Sequence, residues 1–224
     1  MKKKIFIILF FYLTISLSSI SLKEVFETAP AQGEYDKYLE LETGVTYTGG
    51  LLIGKILDPI SYELEGEEGQ DVRIKGNGAI LDLQGEQICI SYCDNKLDID
   101  DCIIINGNIR YRGINAGYII QIPTGYVRYI TFYKSHDYGI RLQGSGGDIL
   151  LERNIVMDAV NTGDDYIYTN GISSDWLPTG ASFGISVQYG FYGIPDVIDN
   201  WSFHSDEEIN ADLLNHFVLL CEYG

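Results

Sequence analysis

Basic residues are scarce: 15 Lys and Arg stand against 32 Asp and Glu, for a formal charge of −17. Beyond Lys2 to Lys4 they form no cluster, and a nucleic-acid partner requires clustered cations against phosphate, so nucleic acid is not expected. Excess carboxylate suits solubility outside a cell and is compatible with cation binding, which leaves calcium open as a cofactor. Cysteine is sparse too. Cys89, Cys93, Cys102 and Cys221 include no C-x-x-C pair and have no His at ligand spacing, which argues against a zinc site. Three disulfide pairings are arithmetically open, and burial of the cysteines as small hydrophobes is the equally simple alternative. No apolar run reaches the ~20 residues of a bilayer-spanning helix, so no stable transmembrane span is expected. Helical periodicity is nearly absent.

The amino-terminal residues carry an address. Lys2, Lys3 and Lys4 precede an apolar run from Ile5 to about Leu17, and small polar residues follow from Ser16 to Ser21. That is the order of a secretory signal peptide, assigned to residues 1–22 with cleavage between Ser18 and Leu22. No Cys follows the apolar run, so a lipid anchor has no acceptor. Losing residues 1–22 removes three Lys and no carboxylate and takes the charge from −17 to −20. The expected location is secreted, periplasmic or extracellular.

A degenerate repeat follows: an apolar residue, any residue, an apolar residue, two of any kind, then a turn-forming or stackable residue. It reads as Val45-x-Tyr47-x-x-Gly50, Val72-x-Ile74-x-x-Asn77, Leu97-x-Ile99-x-x-Cys102, Val127-x-Tyr129-x-x-Phe132 and Ile149-x-Leu151-x-x-Asn154, at intervals of 27, 25, 30 and 22 residues. Period-two alternation means short strands with one inward face, and each match is followed by a second short apolar strand, such as Ile80 to Leu83, Ile103 to Ile105 or Ile155 to Met157. Gly76-Asn77-Gly78, Asn106-Gly107, Gly144 to Gly147 and Asn161-Thr162-Gly163 supply turns between them. Short strands and tight turns recurring every 20 to 30 residues predict stacked coils, each burying its inward face on its neighbours. An antiparallel sandwich is the competing architecture.

Residues 45 to 165 resemble the right-handed parallel β-helix superfamily, the pectin lyase-like proteins. The likeness is strongest in Asp137-Tyr138-Gly139-Ile140-Arg141-Leu142 and Ile149-Leu150-Leu151-Glu152-Arg153-Asn154-Ile155. The resemblance implies an all-β, right-handed parallel β-helix (solenoid), with its C-terminal end incomplete. The organisation expected is a signal peptide (1–22), a lead-in segment (23–44), β-helix coils (45–165), and a loop-rich excursion with the incomplete C-terminal part of the stack (166–224). In such a fold Asn77, Cys102, Phe132 and Asn154 would occupy one turn register and belong to the core. A capping arrangement at Ser205 predicts a short helix over Ile209 to Phe217, and the apolar run from Phe217 to Leu220 just before the terminus suggests a fragment or a partner.

The superfamily resemblance implies recognition or processing of an extracellular polysaccharide, by a lyase or glycoside hydrolase acting on acidic glycans. Asp164 and Asp165 are similar to the acidic motif of polygalacturonases, where carboxylates protonate the leaving oxygen and activate water. The Gly-His-Gly of those enzymes has no counterpart here, and Arg73-Ile74-Lys75 precedes the acids where the family pattern places such a pair after them. A lyase needs a base and a cation beside a uronate carboxylate; Arg141 and Arg153, on successive coils, and His136 are the candidates, with calcium as a possible cofactor. Trp176 and Tyr189, in an aromatic stretch, are candidates for stacking on sugar rings. The alternative is a non-catalytic extracellular carbohydrate-binding or structural surface module. A solvated turn at Asp164 and Asp165 and a hydrogen-bonded His136 beside Asp137 would account for the same residues without any site.

Overall fold

The computed structural model describes residues 19–58, 61, 63–116, 119–136, 138–143, 148–160, 167–168, 185–188, 195–203 and 205. These residues are all-β apart from one short helix, Leu22–Thr28. Parallel pairing dominates, which rules against the antiparallel sandwich. No described helix is long and apolar enough to cross a membrane.

Strands line up in three parallel ladders. The first joins Lys37–Glu40, residues 72–75, residues 96–100, Thr124–Arg128, Ile149–Glu152 and Asp196–Ile198. The second joins Ile20–Ser21, Thr46–Thr48, residues 79–82, residues 102–105, Thr131–Tyr133, Ile155–Met157 and Trp201–Phe203. The third joins residues 51–54, Gln87–Ser91, Asn108–Arg112, Ile140–Gln143, Ile185–Gln188 and Ile167–Tyr168. From residue 72 to residue 157 the chain runs through first, second and third ladder in that order, repeatedly.

Apolar side chains at alternate positions face one core because a strand turns every second side chain to the same side. Leu39, Ile74, Ile99, Val127 and Leu151 stack in the first ladder, Tyr47, Leu81, Ile104, Phe132 and Val156 in the second, and Ile53, Ile90, Tyr111 and Leu142 in the third, all buried. Fully burying one such aliphatic side chain contributes ~1.5–3 kcal/mol, so these columns are the main source of cohesion.

The register corrects part of the sequence reading. Val72, Leu97 and Ile149 are true equivalents, but the residue paired with Leu97 and Ile149 on the intervening strand is Gly125, not Val127. Tyr47 pairs with Leu81 and so belongs to the second ladder; the first ladder already contains Lys37–Glu40, inside the segment read as lead-in. Gly125 stands where the neighbouring Leu97 backbone leaves no room for a side chain, and Tyr111 is fully buried and donates to the carbonyls of Leu97 (2.6 Å) and Tyr126 (3.4 Å).

At the corner between the first and second ladders, Asp101, Tyr129, Arg153 and Asp199 each adopt positive φ, between 49° and 56°. One left-handed residue redirects the strand, at a steric cost of ~1 kcal/mol or more for a non-glycine residue. Beside this corner Asn154 and Asn200 stack. The Asn154 side chain accepts from the Ile130 N–H (3.1 Å) and donates to the Val127 carbonyl and to Asn200 Oδ1 (2.8 Å each), while Asn200 donates to the Leu151 carbonyl (2.8 Å). Cys102 and Phe132 are buried as expected, yet Phe132 sits two residues along, opposite Ile104; Ile130 is the residue at the Cys102 level. Asn77 donates to the Leu41 carbonyl and is only partly buried.

At the amino-terminal end Ile20 and Ser21 pair with Tyr47 and Thr48, Ser21 Oγ accepts the Glu24 N–H at 3.3 Å, and Leu22 is fully buried. The C-terminal helix expected over Ile209 to Phe217 lies outside the described residues, as do residues 1–18.

Candidate functional site: a cationic face on the third ladder

Ile109 and Tyr111 point inward, so alternation turns Asn108, Arg110 and Arg112 to the outer face of the third ladder. Arg141 lies in register with Arg110 on the next strand, and Gln143 with Arg112. On the other side Gln87, Cys89 and Ser91 pair with Asn108, Arg110 and Arg112. Three guanidiniums therefore occupy adjacent positions. No strand of this parallel ladder contains an Asp or Glu; the one carboxylate on the described strands of the sheet is Glu65, on the antiparallel strand Leu64–Gly66 that pairs with residues 55–57, away from the guanidiniums. In a chain with 32 carboxylates that segregation separates this face from the others.

The guanidiniums are held in place by their surroundings. Arg110 Nη2 donates to Gln143 Oε1; the Arg112 guanidinium lies 4.9 Å from the Tyr92 ring centre and that of Arg141 5.7 Å from the Tyr138 ring centre. Several outward polar groups are nevertheless enclosed: Ser91 and Asn108 are buried, and Ser91 Oγ, Asn108 Oδ1, Gln87 Oε1 and Arg112 Nε are shielded from solvent without a hydrogen-bond partner in the structure. Buried polar atoms are nearly always satisfied, and those that are not concentrate where a water or a ligand completes the set. Burial pushes the Cys89 thiol up to about 11 despite the opposing pull of Arg110 and Arg112, so it stays neutral there.

The first ladder offers a contrast. Its outer face carries Glu40, Lys75, Asp100, Arg128 and Glu152 in register, alternating in sign. Lys75 pairs with Glu40 (2.7 Å), and Asp100 with both Arg73 (2.6 Å) and Arg128 (3.1 Å). Opposite charges on neighbouring strands stabilise the register, and here they also neutralise one another. An open cleft of about 500 Å³ on this ladder is lined by Lys96, Asp98, Tyr126, Asp148 and Asp196. Asp98 accepts from the Tyr35 hydroxyl (2.7 Å) and the Tyr126 N–H (3.0 Å). Burial raises its pKa, outweighing the Tyr35 hydrogen bond and the nearby cations that lower it, while burial and Asp98 together raise that of Tyr35. Concavity and unsatisfied polar chemistry thus fall on different faces, and the satisfied bonds of Asp98 make the cleft the more structural of the two.

The sequence-derived candidates scatter across these features. Arg141 belongs to the cationic face. Arg153 does not: it is the exposed left-handed residue of the corner between the first and second ladders, 3.7 Å from Asp199 and 3.9 Å from Glu152. Successive coils do not bring Arg141 and Arg153 together because one is a third-ladder strand residue and the other a corner residue. His136 is exposed, between the second- and third-ladder strands. Asp164, Asp165, Trp176 and Tyr189 lie outside the described residues. Sequence reading passed over Arg110 and Arg112, although Arg110-Tyr111-Arg112 within a period-two strand places both cations on one face. Among the described residues no group of three or more His, Cys, Asp or Glu is arranged to hold a metal ion. Comparison with known families, curated proteins and solved structures finds no match.

Proposed function

We propose that the three ladders are the faces of a right-handed parallel β-helix of the pectin lyase-like kind, and that the exported protein recognises an acidic polysaccharide on the third-ladder face. The observation that carries this reading is the set Arg110, Arg112 and Arg141 on a ladder whose strands hold no carboxylate. Guanidinium forks bind carboxylates by paired, charge-assisted hydrogen bonds. Strand spacing of ~4.8 Å separates Arg110 from Arg141 by about the rise of one sugar, so two successive uronates can meet this pair.

Recognition is better supported than processing, since the acids required for hydrolysis or for calcium do not come from the strands of this ladder. Processing assigns Asp164 and Asp165 as the acid–base pair, Arg141 as the cation beside the uronate and His136 as a base; Arg153, on another face, takes no direct part. Incubating the purified chain with uronate-containing and neutral polysaccharides, with and without calcium, separates these readings. Binding to uronates without products supports recognition alone. Unsaturated products indicate a lyase, and new reducing ends without them a hydrolase. Failure to bind any acidic glycan would remove the proposal.

A further inference from the structure

The outward residues of the second ladder carry almost no charge. Ile80, Ile103, Thr131, Ile155 and Trp201 stand in register across five strands, and beside them Asp82, Ile105, Tyr133 and Met157. Ile103, Tyr133, Ile155 and Trp201 are 40%, 38%, 41% and 71% exposed, and exposed Tyr129 and Ile198 extend the strip at its corner with the first ladder. Asp82 is the one carboxylate in these two columns of described residues, and neither column contains Lys or Arg. By area such a strip is ordinary for a protein surface; what sets it apart is the in-register alignment of exposed Ile, Tyr and Trp side chains on an otherwise highly charged molecule.

Size and charge select the occupant. Five strands at ~4.8 Å by three residues at ~3.3 Å make a strip of roughly 240 Å², far below the ~800 Å² per partner of a stable dimer. A second copy would also set −17 against −17. Anionic bilayers are repelled by the same net charge, and the cations at the edge of the strip, Lys134 over the Tyr133 ring and Arg153 over the Tyr129 ring, are isolated residues and not the basic cluster that holds a protein on such a surface. A neutral polymer with apolar ring faces and hydroxyl edges meets neither obstacle: rings stack on Tyr133, Trp201 and the isoleucines, Thr131 and Asp82 take hydroxyls, and weak contacts repeat along the stack. We infer that the second-ladder face binds a neutral polysaccharide chain, laid across the strands. This rests on its own residues and is independent of the cationic face.

The test is native affinity electrophoresis of the purified chain in gels containing soluble β-glucan, mannan, xylan or starch. At least one should retard the protein, and Trp201→Ala and the double variant Ile103→Ser/Ile155→Ser should each weaken that retardation at least tenfold. If the double variant loses its circular dichroism melt, Trp201→Ala decides alone, because its side chain is mostly solvated. Retardation by none of the polymers, or equal retardation of wild type and Trp201→Ala, overturns the inference. So does a strip that acts instead in self-association by sedimentation, or in flotation with phosphatidylcholine vesicles, with either property lost in Trp201→Ala.

Discussion

Asn154 shows how much a single buried side chain can hold. It satisfies the Ile130 N–H and the Val127 carbonyl and meets Asn200. Each buried group left unsatisfied costs ~1–3 kcal/mol, so Asn154→Ala should lower stability in urea unfolding by about 2–4 kcal/mol, with little change in the denaturant slope. Asp98 acts through its proton. Its pKa is raised above 3.8 on folding, so the stability linked to that proton is complete below the unfolded value and is lost as pH rises through the folded one. Wild type should therefore lose stability across the window just above 3.8, and Asp98→Asn should remove that part of the pH dependence. Cys89, Cys93 and Cys102 are free and buried, and burial raises all three thiols. Alkylation read by mass spectrometry should leave them unlabelled in native protein and label them in denaturant. Asn154 was legible from its place in the repeat. Asp98 was not, because its partner Tyr35 lies 63 residues away on a segment without repeat pattern.

At the scale of the strand, period-two alternation was legible and register was not. Gly125 explains one slip: an inward position without a side chain gives an apolar template nothing to match, and the pattern moves two residues on to Val127. Gly125 has φ of 132°, and a Cβ there would lie 2.0 Å from the Leu97 carbonyl oxygen. Gly125→Ala should cost at least ~2 kcal/mol through backbone strain and displacement of the neighbouring strand, measurable as a lowered melting temperature. The first strand explains another: Lys37–Glu40 offers one buried inward residue, Leu39, too little for a pattern. Cationic alternation in Arg110-Tyr111-Arg112 was readable in principle, but its meaning depends on Arg141, 29 to 31 residues later, occupying the same face. At the amino terminus Ile20 pairs with Tyr47 and Leu22 is buried, so if a signal peptide is removed, N-terminal sequencing should find the mature chain beginning at or before Ile20.

On the scale of the molecule, charge is sorted by face. The first ladder interleaves opposite signs and neutralises itself, the second is nearly uncharged, and the third concentrates guanidiniums on strands without carboxylates. Against a net charge of −17 the third face can attract a polyanion only through its local field, so affinity must be short-ranged and strongly dependent on salt. Composition gave the overall sign and suggested solubility; the sorting emerges only when strands far apart in sequence are set side by side. The most direct measurement is titration calorimetry of the purified chain with a defined oligogalacturonate at several salt concentrations, in wild type and Arg112→Gln. Binding that weakens as salt rises, and at least ~10-fold weaker binding in the variant, consistent with a lost charge-assisted bond of ~1.5–3 kcal/mol, is the predicted result. Equal affinity of the two proteins, or no binding by wild type at low salt, would contradict the assignment of the third ladder as the recognition face.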